Sequence, residues 1–304
     1  MVGMKKSWWY YGAGLVVGLT VLVVSQLPDE NARIIVCDVG QGDGILITKG
    51  QNQVLVDGGP SSEKILSCLE RHVPFWDRQI ELIVLTNTDF DHMNGLSAVV
   101  ERYHVIRFVT ADGVHESQAL MRLASVMSES SVAVQAVEQG DTIKVGVRDK
   151  LSFQVLWPPE VHEDYLAVFS EQINDSNREQ ILGASAKRGN LNERSVVLLL
   201  LEDNYTALLM GDAGDQAEKE LLEQGLLSDV DYLKVGHHGS KYASTASFLE
   251  KVKPELAVIS VGANNRYSHP TQETLGRLEA AGAKVARTDQ QGTVVTAGNI
   301  LELK

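Results

Sequence analysis

The residues best suited to chemistry are grouped just after an apolar run at 83–85. They are Asn87, Asp89, Asp91 and His92, which lie within six positions of one another. Carboxylate oxygens and imidazole nitrogens are donors that hard and borderline divalent metals bind. Asp and Asn are also ordinary turn residues after a strand. A metal site is therefore favoured only if other parts of the chain also place Asp or His residues after apolar runs.

Two clusters far downstream do so. Asp212 follows Gly211 after an apolar run at 206–210, and His237 and His238 stand between two glycines after a run at 232–235. Adjacent histidines are unusual in a protein core, because both rings need hydrogen-bonding partners. Three strand ends with Asp and His predict a metal-dependent active site built from distant parts of the chain.

Charge and cysteine content narrow the classes of function. The chain has 304 residues and a formal net charge of −13, which argues against a broad basic groove for nucleic acid. Cys37 lies in a strand-like run and Cys68 in a helix-like stretch, and both are expected to be small buried hydrophobes. A disulfide between them stays open, because spacing alone does not decide it.

The N-terminal segment predicts a membrane anchor. Lys5 and Lys6 precede an uncharged segment at 8–25, which just reaches the roughly 20 residues that a membrane-spanning helix needs. The lysines predict that residues 1–7 form a cytoplasmic tail and that the rest lies outside. Secretion after cleavage of a signal peptide is the alternative. Residues 26–32 predict a polar linker to a single domain at 33–304.

The site residues must be positioned by strands and helices that occur in runs, once in each half of the domain. Predicted strands cover 34–39, 45–47, 53–57, 80–86, 106–110, 132–137, 142–147, 151–157, 195–201, 206–210, 232–235, 256–261, 285–287, 292–297 and 300–303. Predicted helices cover 61–72, 96–103, 117–128, 216–223, 245–252 and 271–281, and 158–193 predicts a long loop with one short helix. This order suits an α+β fold, a four-layer αββα sandwich of two sheets with helices outside.

Taken together, the motifs resemble the metallo-β-lactamase fold superfamily and, more narrowly, the extracellular nuclease domain of ComEC-type DNA-uptake proteins. The resemblance is carried by the segments 38–43, 56–59, 91–95, 211–212, 234–240, 260–265, 269–270 and 287–292. It spans nearly all of 33–304. It implies the αββα fold, a metal-dependent hydrolase activity of phosphodiesterase or nuclease type, and a connection to competence.

The resemblance also implies a set of site residues. The expected metal ligands are Asp89, Asp91, His92, Asp212, His237 and His238, with Asp91 and Asp212 also catalytic. Between the adjacent histidines, His237 is favoured as the ligand. Possible contacts to a first metal or to substrate are Asn87, Asp57, Asp38, Asn192, Ser195, Ser240, Lys241 and His269. The expected cofactor is one or two ions of zinc or manganese, which would activate water.

Asn87 departs from the pattern of the superfamily, His-x-His-x-Asp-His, which has histidine at positions 87 and 89. Asp89 agrees with the ComEC-type version, whereas a carboxamide at position 87 is a weaker ligand than imidazole. Two functions follow. The first is a membrane-anchored, externally facing metal-dependent hydrolase with nucleic acid or another phosphoester as substrate. The second is a degenerate module with one metal or none, which serves in binding or scaffolding.

Overall fold

Fifteen strands arranged in two sheets dominate the described part of the chain. The computed structural model describes residues 5–24, 29–111, 117–147, 150–160, 192–202, 204–298 and 300–302. The strands of the first half are β1 (Arg33–Val36), β2 (Ile45–Lys49), β3 (Asn52–Val56), β4 (Gln79–Leu85), β5 (His104–Thr110), β6 (Ala133–Ala136), β7 (Thr142–Val145) and β8 (Leu151–Trp157). Those of the second half are β9 (Val197–Glu202), β10 (Tyr205–Leu209), β11 (Tyr232–Lys234), β12 (Leu256–Ile259), β13 (Lys284–Arg287), β14 (Val294–Ala297) and β15 (Ile300–Glu302).

The helices in the described part are α1 (Lys5–Val24), α2 (Ser62–His72), α3 (Phe90–Met93), α4 (Leu96–Arg102), α5 (Gln118–Glu129), α6 (Asp215–Glu223), α7 (Ala246–Val252), α8 (Gln272–Ala280) and α9 (Thr288–Gln291). Four of them begin at a serine or threonine whose side-chain oxygen accepts the backbone N–H three residues on. These caps are Ser61, Ser117, Thr245 and Thr271. Such caps satisfy donors that the first helical turn leaves unpaired.

Three hydrophobic cores separate four layers. The first sheet has the strand order β15-β14-β1-β2-β3-β4-β5-β6, and the second has β13-β12-β11-β10-β9-β8-β7. Alternate residues of a strand face opposite sides, so Leu46 packs under α2, α4 and α5 while Ile45 and Ile47 pack between the sheets. A third core lies between the second sheet and α6, α7 and α8. The predicted αββα sandwich is confirmed.

Parallel pairing directs the loops of both sheets toward common edges. Strands β3, β4, β5 and β6 are parallel neighbours in the first sheet, and β10, β11, β12 and β13 are parallel in the second. Carboxyl ends of parallel strands share one edge, where ligands commonly bind. The polar residues that follow β3, β4, β10, β11 and β12 therefore come together.

Where the structure describes the chain, every predicted strand and helix is present, with ends that differ from the predicted ones. Helices α3 and α9 were not predicted. Both are single turns of four residues, too short to show a helical repeat of apolar residues. The predicted loop at 158–193 lies mostly outside the described residues.

Cys37 and Cys68 form a disulfide, with their Cα atoms 5.9 Å apart. They are therefore not the separate hydrophobes that the sequence suggested. Both are buried in the core between the first sheet and its helices, where strand and helix approach to a distance that a disulfide can span. The bond ties the segment after β1 to α2.

Helix α1, Lys5–Val24, overlaps the segment predicted as a membrane anchor at 8–25. Among the helices described, none combines the length and the apolar character needed to cross a membrane. The structure thus does not support the predicted transmembrane helix.

Candidate metal centre

His92 is fully buried between two carboxylates. Its Nδ1 lies 2.8 Å from Asp57 Oδ2, and its Nε2 lies 3.1 Å from Asp212 Oδ2. Asp57 also accepts hydrogen bonds from the Thr86 backbone N–H (2.8 Å) and hydroxyl (2.6 Å). A carboxylate that binds one ring nitrogen of a histidine fixes the direction of the other nitrogen. Metal-binding histidines are commonly oriented by a carboxylate in this way. Asp57, expected as a possible direct contact, orients His92 through its bond to Nδ1.

His238 is oriented in the same way by a backbone carbonyl. Its Nδ1 lies 2.9 Å from the Ser260 carbonyl oxygen. Its Nε2 lies 3.4 Å from Asp91 Oδ2 and 3.4 Å from Asp212 Oδ1. Both His237 and His238 have left-handed backbone, with φ of 45° and 53°. Such conformations in non-glycine residues cluster at functional sites.

Two imidazoles and two carboxylates therefore face one point, and they come from both sheets. Their residues are Asp91, His92, Asp212 and His238. The buried atoms His92 Nε2, His238 Nε2 and Asp212 Oδ1 make no well-aligned hydrogen bond within the part of the chain that the structure describes, although both nitrogens lie 3.1–3.4 Å from the Asp212 carboxylate. Buried polar atoms are normally paired, and a divalent ion would satisfy these three at once. Asp91, His92 and His238 offer ligand atoms within 4.8 Å of one another, as do Asp43, Asp212 and His238, and such nitrogen and oxygen donors fit a divalent metal.

The charges around this cluster also suit a cation. Burial alone would lower the pKa of His238, but the Asp212 and Asp43 carboxylates raise it to about 10. Burial opposes ionisation of Asp212 as well, yet His238 and His92 hold its pKa well below the usual range. The carboxylates thus create a strongly negative potential, which attracts a positive charge to this point.

A buried ion pair supports the cluster from behind. Lys234 Nζ lies 2.6 Å from Asp43 Oδ2, and Asp43 Oδ1 lies 3.4 Å from His238 Nδ1. Burial would raise the pKa of Asp43, but the Lys234 ammonium and His238 lower it to about 2. The sequence interpretation placed neither Asp43 nor Lys234 among the site residues. A lysine inside an otherwise apolar strand was the available signal, because it needs a buried partner.

Gly42 allows the loop before β2 to reach the site. Its φ is 141°, and a Cβ there would lie 2.1 Å from the Asp91 carbonyl oxygen, so no other residue fits. The Ser260 hydroxyl donates to the Gly42 carbonyl oxygen at 2.6 Å. The loop therefore joins the segment of Asp91, after β4, to that of Ser260, after β12.

Glu218 and Arg277 hold the segment that follows His238. Glu218 accepts the backbone N–H groups of Ser244 and, at 2.8 Å, Thr245. Arg277 donates to the Ser244 carbonyl oxygen at 2.7 Å. Burial raises the pKa of Glu218 to about 7 although two N–H groups donate to it. These contacts fix the course of the chain between the histidines and α7.

A cavity of about 180 Å³ opens beside the cluster. It is lined by Gln41, Asp89, Asp91, Asn192, Asp212, His237, His238, Tyr267 and His269. His237 faces Asn192, with 3.3 Å between Asn192 Nδ2 and His237 Nε2. Burial and the neighbouring His237 and His238 lower the pKa of His269 to about 4, so its ring is neutral near pH 7. Asp89, expected as a metal ligand, and Asn192 and His269, expected as possible contacts, thus all border the cavity.

The side chain of Asn87 forms hydrogen bonds that stabilise the loop after β4. Its Nδ2 donates to Ser195 Oγ at 3.1 Å, and its Oδ1 accepts the Asp89 backbone N–H at 2.8 Å. Ser195 Oγ also accepts the Asp212 backbone N–H at 3.3 Å. Asn87 and Ser195 are both buried. They join the loop after β4 to the loop after β10, and do not line the cavity.

The structure places three other predicted contacts away from the cavity. Asp38 bonds to the Gly40 N–H and pairs with Lys64 at 3.2 Å, because the chain turns toward α2 there. Ser240 is buried, and its carbonyl oxygen accepts the Thr274 hydroxyl at 2.8 Å. Lys241 extends over the ring of Tyr242, 5.0 Å from its centroid.

The preference for His237 over His238 is not what the geometry favours. The two rings stand at 73° to each other, because both residues take left-handed backbone. Both rings line the cavity, but of the two it is His238 whose Nε2 lies 3.4 Å from a carboxylate oxygen of Asp91 and of Asp212.

A four-layer αββα sandwich with carboxylate and imidazole groups between its strand ends defines a class of proteins that can bind metal. Within that class, the chain belongs to the metallo-beta-lactamase superfamily, whose sequence model matches residues 37–263.

The chain is similar to several bacterial proteins, among them one named as a competence protein. It is 28% identical over 291 residues to "ComE operon protein 3" of Bacillus subtilis, covering 90% of this chain and 34% of the relative. It is 27% identical over 271 residues to "Competence protein ComA" of Neisseria gonorrhoeae, covering 88% and 32%. The chain thus spans about a third of the length of these relatives.

Solved structures share the fold at low sequence identity. The metallo-beta-lactamase fold protein YhfI from Bacillus subtilis has a TM-score of 0.56 and 12% identity, with 88% of this chain and 100% of that chain covered. Igni18, a metallo hydrolase from Ignicoccus hospitalis, has a TM-score of 0.52 and 15% identity, with 87% and 98% covered. These likenesses show the fold alone.

Proposed function

We propose that the domain is a metal-dependent phosphodiesterase that acts on nucleic acid, with a single divalent ion in its active site. The observation that carries this proposal is the convergence of Asp91, His92, Asp212 and His238, whose inward-facing buried atoms include three without well-aligned hydrogen bonds in the described residues. Membership of the superfamily supports a hydrolase. The competence protein among the relatives supports nucleic acid as the substrate.

A metal held by these four residues would supply an activated water at neutral pH and stabilise charge that develops on the phosphate. The chain's own groups do the positioning. Asp57 and the Ser260 carbonyl each hold one nitrogen of a histidine, so that His92 Nε2 and His238 Nε2 face inward. Asp91 borders both the cluster and the cavity, where its carboxylate can accept a proton.

The ion can be zinc or manganese. Two nitrogen and two oxygen donors suit zinc, while the further carboxylate of Asp89 beside the cavity adds the oxygen donors that manganese prefers. A second ion would need donors at the position of Asn87, whose amide bonds instead to Ser195 and the Asp89 N–H. One ion is therefore our proposal.

The same use of Asn87 favours one alternative, a module that has lost catalysis and serves in binding or scaffolding. In that case the charged cluster would remain as a structural feature. Metal content and hydrolysis measured together separate the two functions.

We also propose that the domain works outside the cytoplasm. The Cys37–Cys68 disulfide supports this location, because such bonds persist mainly in oxidising compartments. Attachment through residues 8–25 and release by cleavage are the two routes to that location, and immunoblotting of membrane and soluble fractions distinguishes them.

The test uses the full chain purified with Zn²⁺ or Mn²⁺. We expect about one equivalent of metal, together with hydrolysis of single-stranded DNA or of bis-p-nitrophenyl phosphate. Asp212→Asn should reduce both metal content and hydrolysis, the latter by more than about 100-fold. Asp38→Asn is the matched control, since its carboxylate lies in a neighbouring motif but outside the cavity.

Metal binding without hydrolysis of any diester would favour the degenerate module. Equal loss in Asp38→Asn and Asp212→Asn would show that the cluster has no special role.

A further inference from the structure

We propose that Tyr267 forms a stacking subsite for an unpaired nucleobase next to the phosphodiester that is cleaved. This inference rests on the proposed nuclease function and makes the substrate more specific, namely a single-stranded nucleic acid or a frayed end.

Tyr267 presents an aromatic face at the edge of the cavity. Its side chain is 56% exposed, although it lines the same cavity as Asp91 and Asp212. Its ring stacks on His269 with 5.9 Å between centroids and 20° between planes. His269 in turn packs edge-on against His237 at 5.8 Å. An exposed ring packed against a histidine thus lies at the same cavity as the carboxylates of Asp91 and Asp212.

The segment that carries Tyr267 is held in place before any ligand arrives. Asn265 Oδ1 accepts the backbone N–H groups of Tyr267 (3.1 Å) and His269 (3.0 Å). Asn265 Nδ2 donates to the carbonyl oxygens of Gly262 (2.9 Å) and His269 (2.7 Å). A preorganised contact residue lowers the entropy that binding costs.

The size of the cavity determines which part of a nucleotide can enter it. At about 180 Å³ it is smaller than the roughly 300–1,000 Å³ of pockets that enclose whole small ligands. A phosphate group fits beside Asp91 and Asp212, whereas the attached base must remain at the rim, where Tyr267 is.

Charge at the rim agrees with this arrangement. The Arg266 guanidinium lies 6.0 Å from the Tyr267 ring centroid, and Arg266 is exposed. A cation over an exposed aromatic ring is the combination that sequence-tolerant single-strand binding uses. It also gives a local positive charge on a chain whose net charge is −13.

The experiment compares base-bearing and base-free substrates. Hydrolysis of an oligothymidylate is measured with Mn²⁺ beside an oligonucleotide of the same length with abasic sites, and kcat/KM is taken for each. We expect Tyr267→Ala to lower the ratio of the two values by about 5- to 100-fold, the usual effect of removing one stacking partner. Tyr267→Phe, which keeps the ring, should restore the ratio to within about twofold of wild type.

Phe75→Ala is the control, because Phe75 is equally exposed at 58% but lies in the loop before β4, at the opposite end of the strands. An unchanged ratio in Tyr267→Ala, or an equal change in Phe75→Ala, overturns the subsite.

A binding assay tests the stacking subsite at Tyr267 even if no diester is hydrolysed. Stacking quenches the fluorescence of an oligonucleotide that contains 2-aminopurine. Quenching by wild type that is lost in Tyr267→Ala supports the subsite, although absent hydrolysis would refute the proposed function. Hydrolysis of diesters without base-dependent quenching would keep the function and refute the subsite.

Discussion

Replacing Lys234 by methionine should destabilise the domain strongly. Lys234 and Asp43 are both buried, 2.6 Å apart, and Lys234 Nζ also donates to the Val235 carbonyl oxygen at 3.0 Å. Methionine has a similar volume, so packing is nearly conserved. What is lost is the positive charge opposite a buried carboxylate.

Removing one partner of a buried ion pair costs about 3–5 kcal/mol, because the other charge stays buried and uncompensated. For a domain of this size, that corresponds to a fall in Tm of about 6–20 °C. The double variant Asp43→Asn with Lys234→Met leaves no buried charge without a partner. It should therefore be more stable than Lys234→Met alone, with a coupling energy of at least about 1 kcal/mol.

Urea unfolding of the wild type, both single variants and the double variant gives this coupling energy directly. Metal affinity should fall about 10- to 100-fold in the same variants, since Asp43 lies behind His238. Strictly additive stabilities, or a loss below about 1 kcal/mol in Lys234→Met, would refute the assignment of this pair as the support of the cluster.

Three further predictions concern groups outside the cluster. Folding raises the pKa of Glu218 from 4.5 to about 7. The contribution of Glu218 to stability is therefore fully present below pH 4.5 and is lost as pH rises through about 7. In urea unfolding, the wild type should lose about 3 kcal/mol of stability relative to Glu218→Gln between pH 4.5 and 8. Replacing Cys37 and Cys68 together by alanine should cost about 3–4 kcal/mol for a bond across 31 residues, and thiol titration of the unfolded wild type should detect no free cysteine. Asn87→Ala should lower stability by about 1–3 kcal/mol through its two lost hydrogen bonds, yet leave the metal content at one equivalent, whereas loss of the metal would make Asn87 a ligand.

Local patterns in the sequence predicted the elements well, because each strand or helix has its own period and many helices have their own caps. The four-layer arrangement followed from the order of these elements. At the site, the convergence of Asp91, His92 and Asp212 was predictable, since each follows a buried strand that ends at this edge.

Other features depended on contacts between distant residues. The Lys234–Asp43 pair spans 191 positions, and no local pattern selects one partner over another. The choice of His238 depends on left-handed backbone at two successive residues, which rotates the rings apart. The disulfide depends on how closely α2 approaches the segment after β1.

The pairing of β14 with β1 has a consequence for synthesis of the protein. In the first sheet, β1 lies between β2, its neighbour along the chain, and β14, whose Ala297 pairs with Arg33. A ribosome adds about 5–20 residues per second, so one edge of β1 waits on the order of tens of seconds for its partner. An open strand edge is a template for aggregation. The newly made N-terminal half therefore exposes one unpaired edge of β1 until translation is nearly finished.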